Sequence, residues 1–264
     1  MEREDVPVTF VHLSDLHLLA GQQGDSGAED LGRVLECATA IAPRPAFCVV
    51  TGDLTDDGEE ASYRRARALL DPLEGTGIPV LAALGNHDDR AAFRRGFLGA
   101  ALDDDSPHVH ARVIAGVGVA VLDSSAPGRV AGAIDDGQLA WLDRTLAGPA
   151  PRGWLVAIHH AARLASVQAN SWFVLEGAAD LEAVLVRHQP RVLGVLAGHT
   201  HQANATVFGG ILHATAPAVA GQLDHLAPRG LVPRPQPGFA VGVLDPEGLV
   251  VHSVLLSASQ MPGC

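Results

Sequence analysis

Five short clusters in this chain combine carboxylate, carboxamide and imidazole side chains at spacings suited to holding cations. They are Asp15-Leu16-His17, Gly52-Asp53, Gly85-Asn86-His87-Asp88, His159-His160 and Gly198-His199-Thr200-His201. The i, i+2 spacing of Asp15/His17 and of His199/His201 suits extended or turn backbone, where alternate side chains face the same way. Glycines at 52, 85 and 198 permit tight exits and close approach of backbone. Hard oxygen donors mixed with imidazole, with no thiolate, suit Mn, Fe or Zn better than Ca or Mg alone. Seven candidate ligands exceed the needs of one tetrahedral ion and suffice for two sharing a bridging carboxylate. Taken singly, each cluster is as well explained as a turn or a partly buried side chain, since Gly-Asn and Gly-Asp are common turn formers. Taken together they point to chemistry, because each begins where an apolar run ends.

Those runs are the elements that must position the clusters. VTFVHLS (8–14), AFCVVTG (46–52) and IPVLAALG (78–85) read as buried strands closed by turn residues. Apolar stripes at helical spacing lie between them, over 28–41 and 59–70. That β-α-β-α-β order favours a largely parallel central sheet in an α/β fold. Further strand patterns over 113–123, 154–160 and 191–201 alternate with helical ones over 138–146 and 179–188. The strand-rich end, 206–215 and 238–256, carries a Pro-Glu-Gly turn at 246–248 that predicts a hairpin. In open α/β sheets the carboxyl ends of the strands form the ligand crevice, so five strand ends bring these side chains to one rim. The segment 222–237 holds four prolines and little periodicity; it reads as a surface loop and a candidate lid. One domain over 1–264 accounts for the whole pattern.

Composition narrows the function. A 47% hydrophobic and 18% charged chain of 264 residues can bury a large core. Every apolar stretch is interrupted before membrane-spanning length, and the first ten residues do not resemble a signal peptide. Three widely spaced cysteines, Cys37, Cys48 and Cys264, argue against a disulfide framework and for a reducing cytoplasm. The net charge of -12 disfavours a nucleic-acid polymer as partner. It does not exclude a small anion, because bound divalent cations reverse the local field.

The order of the clusters resembles the calcineurin-like metallophosphoesterase superfamily, whose pattern is DxH, GD, GNH(D/E), H, GHxH. HLSDLHL, VTGDLTDDGE, LGNHDDRAAFR, VLDSSAPG, the WL within 138–142 and LAGHTHQANATVF further resemble bacterial class III cyclic-nucleotide phosphodiesterases. The similarity runs from Val8 to the VVHSVLL end. It implies a four-layer α/β/β/α sandwich with ligands on loops at strand C-terminal ends. It also implies a first metal on Asp15, His17 and His201, a second on Asn86, His159 and His199, and Asp53 bridging them. His87 is then no ligand, but beside Asn86 it can bind the substrate phosphate or protonate a leaving oxygen. Relatives usually follow the paired histidines with proline, whereas this chain has Ala161-Ala162. His160 reads as structural, Asp123 as a strand-end hydrogen bonder, and Asp88 and Asp89 as helix-start residues. His108, His110, His188 and His225 read as surface, and His213 and His252 earn no role.

The expected activity is hydrolysis of phosphodiesters, 3′,5′-cyclic nucleotides among them, by a hydroxide held between two transition-metal ions. A homodimer is a candidate assembly. Rivals are a phosphomonoesterase of small metabolites, a protein phosphatase, a repair-type nuclease and a non-catalytic interaction module. Protein phosphatases carry Asp-Arg-Gly after the bridging aspartate, where this chain has Asp53-Leu54-Thr55. The acidic balance counts against a nuclease, and a module that has lost its chemistry usually has eroded ligands.

Overall fold

The computed structural model describes residues 6–21, 26–101, 104–163, 175–225 and 232–257. Its architecture follows from where the apolar side chains of each strand go. In β1 (Val8–Leu13), Val8 and Phe10 join one buried cluster, while Val11 and Leu13 join another. β2 (Cys48–Thr51) divides likewise, Val49 from Cys48 and Val50, and so does β3 (Val80–Ala83), Leu81 and Ala83 from Ala82. Strands apolar on both faces need two covers. One is helical: α1 (Ser26–Ala40), α2 (Glu60–Gly75) and α3 (Arg90–Gly96) supply Leu31, Val34, Tyr63, Leu70 and Phe93. The other is a second sheet.

That second sheet contains β5 (Val117–Val121), β7 (Trp154–Ala157) and β9 (Val192–Ala197). Val117, Val119, Val121, Leu155, Ala157 and Leu196 meet the first sheet. The alternate residues Ala120, Trp154, Val156 and Val195 pack under α4 (Asp136–Ala147) and α5 (Ala178–Arg187). The layers are therefore α/β/β/α. The first sheet has the order β15 (Gly248–Leu255), β14 (Gly238–Asp245), β1, β2, β3, with β1 to β3 parallel and β14 antiparallel to both neighbours. The second runs β10 (Asn204–Phe208), β11 (Ile211–Thr215), β9, β7, β5, β4 (His110–Ile114), parallel inside and antiparallel at each edge. A short parallel pair joins β6 (Gly132–Ala133) to β8 (Leu175–Glu176).

Two sheets replace the one central sheet that the β-α order favours. An apolar run buried on both faces looks the same under a helix as under another sheet, so the pattern cannot separate the two. The run over 113–123 is not one strand: Ala115 and Gly116 adopt φ of 50° and 82° and turn the chain back as the β4–β5 hairpin. Helix α2 also passes the expected stop near Leu70 and continues through Pro72, its last turns held by buried Leu70 and Leu73. The Pro-Glu-Gly hairpin is present, pairing Asp245 with Gly248. Within 222–237, β12 (Gln222–Asp224) pairs with β13 (Val232–Arg234), and residues 226–231 lie outside the described residues. Cys37 is disulfide-bonded, against the expectation from cysteine count, while Cys48 is free and buried. No helix among the described residues is long and apolar enough to cross a membrane.

Candidate metal centre

All five clusters stand at one end of the molecule, at the seam between the sheets. Asp15 and His17 follow β1, Asp53 follows β2 and Asn86 follows β3, all in the first sheet. His159 follows β7, and His199 and His201 follow β9, in the second. Backbone hydrogen bonds continue the strand pairing into the loops. Asp15 N–H donates to Gly52 O (3.1 Å), His17 N–H to Asp53 O (3.0 Å) and Gly198 N–H to His159 O (2.9 Å). Among the bonds that stitch the two sheets, the His199 N–H donates to the Asp15 carboxylate at 3.1 Å.

The backbone at these exits is strained. Six non-glycine residues among those described have positive φ, and five are candidate ligands: Asp15 (54°), His17 (45°), Asp53 (49°), His199 (69°) and His201 (48°). Left-handed backbone costs an L-residue about 1–2 kcal/mol and persists where the surroundings hold it, typically at functional sites. Two glycines allow the crowding. A Cβ on Gly85 would lie 2.2 Å from Asp53 Oδ1, and one on Gly198 would lie 1.8 Å from Ser14 Oγ.

The donor atoms form two groups that share one carboxylate. In the first, His17 Nε2 is 3.1 Å from His201 Nε2 and 3.7 Å from Asp53 Oδ2, and His201 Nε2 is 3.5 Å from Asp15 Oδ1. In the second, His159 Nε2 is 3.3 Å from Asp53 Oδ2 and 3.2 Å from Asn86 Oδ1. The His199 ring packs edge-on to His159 at 4.9 Å between centroids. The other ring nitrogens fix the tautomers. His159 Nδ1 meets Thr51 O at 2.7 Å, His201 Nδ1 meets Gly221 O at 3.1 Å, and His17 Nδ1 meets Asp56 Oδ1 at 2.9 Å. Each partner only accepts, so Nδ1 carries the hydrogen and Nε2 turns its lone pair inward. Two inward lone pairs 3.1 Å apart repel unless a proton or a cation lies between them. Tetrahedral ligands about 2.0–2.1 Å from one ion stand roughly 3.3 Å apart, so this donor set fits a transition-metal ion.

Charge points the same way. Burial alone would raise the Asp53 carboxyl, but His159, His17 and the His87 N–H hold it well below the usual carboxylate range. Burial opposes a charge on His159, yet Asp53, Asp15 and Thr51 O push its pKa up to about 9. Without a metal, the cluster draws in a proton; a cation answers the same field.

The surrounding residues divide by what they touch. His87 is exposed, its N–H donates to Asp53 Oδ1 (2.9 Å) and its Nδ1–H to Asp56 O (3.0 Å), and its ring meets His17 edge-on at 4.7 Å. His160 donates from Nε2 to Val130 O (2.8 Å) and accepts the Ser124 hydroxyl at Nδ1 (2.8 Å). Both nitrogens are committed, which fits a structural role even though the ring lies 4.4 Å from His199. Asp123 accepts from Arg90, His108 N–H and Ser125 N–H at the end of β5, and Asp89 caps α3 through Ala92 N–H. Asp88 is no helix-start residue. It accepts from Leu54 N–H, Gly85 N–H and Tyr63 O–H, and burial with the charge of Asp53 pushes it up to about 7. His225 is buried rather than on the surface, donating to Thr200 O at 2.7 Å, and His108 and His110 are half-buried. Asp56, assigned no role from the sequence, lies three residues beyond Asp53 in the same motif and touches both His17 and His87.

Comparison with known proteins agrees with this geometry. The chain is 38% identical over 224 residues to the cAMP/cGMP dual specificity phosphodiesterase of Mycobacterium tuberculosis (strain CDC 1551 / Oshkosh), covering 81% of this chain and 68% of that one. It is 32% identical over 243 residues to the 3′,5′-cyclic adenosine monophosphate phosphodiesterase CpdA of Pseudomonas aeruginosa, covering 85% and 84%. In structure it is similar to a dimetal phosphatase from Danio rerio, with a TM-score of 0.66 at 17% identity over 96% of this chain and 99% of that one. The model of the calcineurin-like phosphoesterase family matches residues 8–203, and the chain belongs to that family.

Proposed function

We propose that this chain is a metal-dependent phosphodiesterase that hydrolyses 3′,5′-cyclic nucleotides. The observation that carries the reading is the convergence of two donor groups on Asp53. Asp15, His17 and His201 would hold one ion, Asn86, His159 and His199 the other, and Asp53 both, with Mn, Fe or Zn suited to the mixed donors. Such a pair, when bound, lowers the pKa of water and stabilises charge on the phosphoryl oxygens. The protein's own part is positioning and proton transfer. His87, with Nδ1–H held by Asp56 O, would in its imidazolium form present Nε2–H as the acid for the leaving oxygen and end as the neutral ring, and the His87 backbone N–H fixes Asp53. Asn86 serves the same phosphate-facing edge.

A diester has one negative charge at phosphorus and a monoester nearly two, so a monoesterase needs further donors. Arg90 is the arginine nearest in sequence to these motifs, and it is committed to Asp123 (2.9 Å), Ser125 O (2.8 Å) and Asp105 O (3.1 Å). The names of the two curated relatives support the cyclic-nucleotide substrate. One domain over 1–264, a homodimer and a cytoplasmic setting complete the proposal. The test compares kcat/KM for cyclic AMP, bis(4-nitrophenyl) phosphate and 4-nitrophenyl phosphate at equal metal loading. Diesters are expected to lead; a monoester preferred by about tenfold, roughly 1.4 kcal/mol of transition-state binding, would make the chain a phosphatase.

A further inference from the structure

The ligand loop after β7 has an anchor that lies outside the metal motifs. Its first part is fixed by strand-like bonds: Ile158 N–H to Leu196 O at 3.0 Å, and Gly198 N–H to His159 O at 2.9 Å. Next come the ring of His160, held by Ser124 and Val130, and then buried Ala161 and Ala162. A buried backbone N–H needs an acceptor. For Ala162 that acceptor is Nε2 of His213, at 3.1 Å, on the buried face of β11. His213 is 1% exposed, lies beside Val195 of β9 in register, and meets the Phe208 ring edge-on at 6.3 Å.

The chemistry of this contact is unambiguous. A backbone N–H can only donate, so Nε2 must carry the lone pair and Nδ1 the hydrogen. The imidazole is therefore neutral and in one tautomer, and burial, which lowers its pKa to about 4, keeps it so. The bond spans two strands of the second sheet: His213 stands on β11, next to β9, and reaches the loop leaving β7. It ties the far end of the His159 loop to the strand beside the His199 and His201 loop.

We propose that His213 is a positioning residue for the second metal position, holding the 159–162 loop through the Ala162 N–H so that His159 meets Asn86 and His199. This rests on the metal reading above. Outer partners of ligands typically contribute about 10–100-fold in metal affinity, and a loss in that range is expected when His213 can no longer accept. The test measures Mn²⁺ binding by calorimetry to metal-free wild type, His213→Leu and His213→Gln, with thermal unfolding of each metal-free protein. Leucine keeps the bulk but cannot accept; the glutamine carbonyl can. The proposal expects weakened binding at one of two sites in the leucine protein and near-normal binding in the glutamine protein. Equal affinity in all three, or equal loss in both variants, overturns it. Wild type binding fewer than two ions would instead count against the two-metal reading. Should His213→Leu not fold, the ¹⁵N spectrum of metal-free wild type decides. The hydrogen on Nδ1 and a protected Ala162 amide are expected, and a hydrogen on Nε2 overturns the proposal.

Discussion

Asp53 is the residue on which the site turns, since its Oδ2 stands 3.7 Å from His17 Nε2 and 3.3 Å from His159 Nε2. Asp53→Asn keeps the shape and removes the charge, so it should weaken both ions together by at least about tenfold; calorimetry that shows one site unchanged would contradict a shared ligand. His87 makes a different prediction. His87→Gln should keep the metals and lose about 10²–10⁴-fold in turnover of alkyl leaving groups, and much less with nitrophenyl ones that need no proton. Equal losses for both would leave His87 a phosphate binder. Much at this scale was legible in the sequence, because each candidate ligand closes an apolar run and the mixed oxygen and imidazole donors are those that suit a transition metal. What stayed hidden were contacts made across the fold. Asp88 bonds Leu54, Gly85 and Tyr63, and His213 reaches Ala162 over 51 positions, and neither spacing marks such a pair.

Among the elements, the strand exits do the positioning, and the close packing of one exit is testable. Gly198→Ala would set a Cβ 1.8 Å from Ser14 Oγ, between the Asp15 loop and the His199 loop. Overpacking of this kind costs about 1–3 kcal/mol, and it should lower both the Tm of the metal-free protein and its metal affinity. An unchanged Tm would mean that the two loops are not fastened as described. The same exits show why the strand positions could be read from the apolar pattern while the four layers came only through the family resemblance. β1, β2 and β3 are apolar on both faces, and the sequence does not say whether a helix or a sheet supplies each cover. The segment 222–237 likewise reads as an unpatterned loop, yet Leu223 N–H bonds His201 O (2.9 Å) and His225 bonds Thr200 O (2.7 Å). Those contacts depend on the ligand loop's position, which no local pattern encodes.

For the whole molecule, buried neutral histidines make the metal-free fold sensitive to acid. Burial lowers His12 and His160 to about 3 and His213 to about 4, from an ordinary 6.5. Between about pH 4 and 6.5 the unfolded chain binds protons at these positions and the folded chain does not, so stability falls as pH falls, by up to roughly 1.4 kcal/mol per pH unit for each. His159 has the opposite sign, its contribution present below 6.5 and lost as pH rises through about 9. Urea unfolding of chelator-treated protein should therefore show greatest stability near pH 6.5, and a flat profile down to pH 4.5 would contradict the burial. Net charge was fully legible here, and it matters to the central claim: a chain at -12 would need bound cations to recruit an anionic substrate. The most direct test adds Mn²⁺ stepwise to metal-free protein while following bis(4-nitrophenyl) phosphate turnover. Activity should rise to a plateau at two equivalents per chain, whereas full activity with one equivalent, or with none, would contradict the two-metal site.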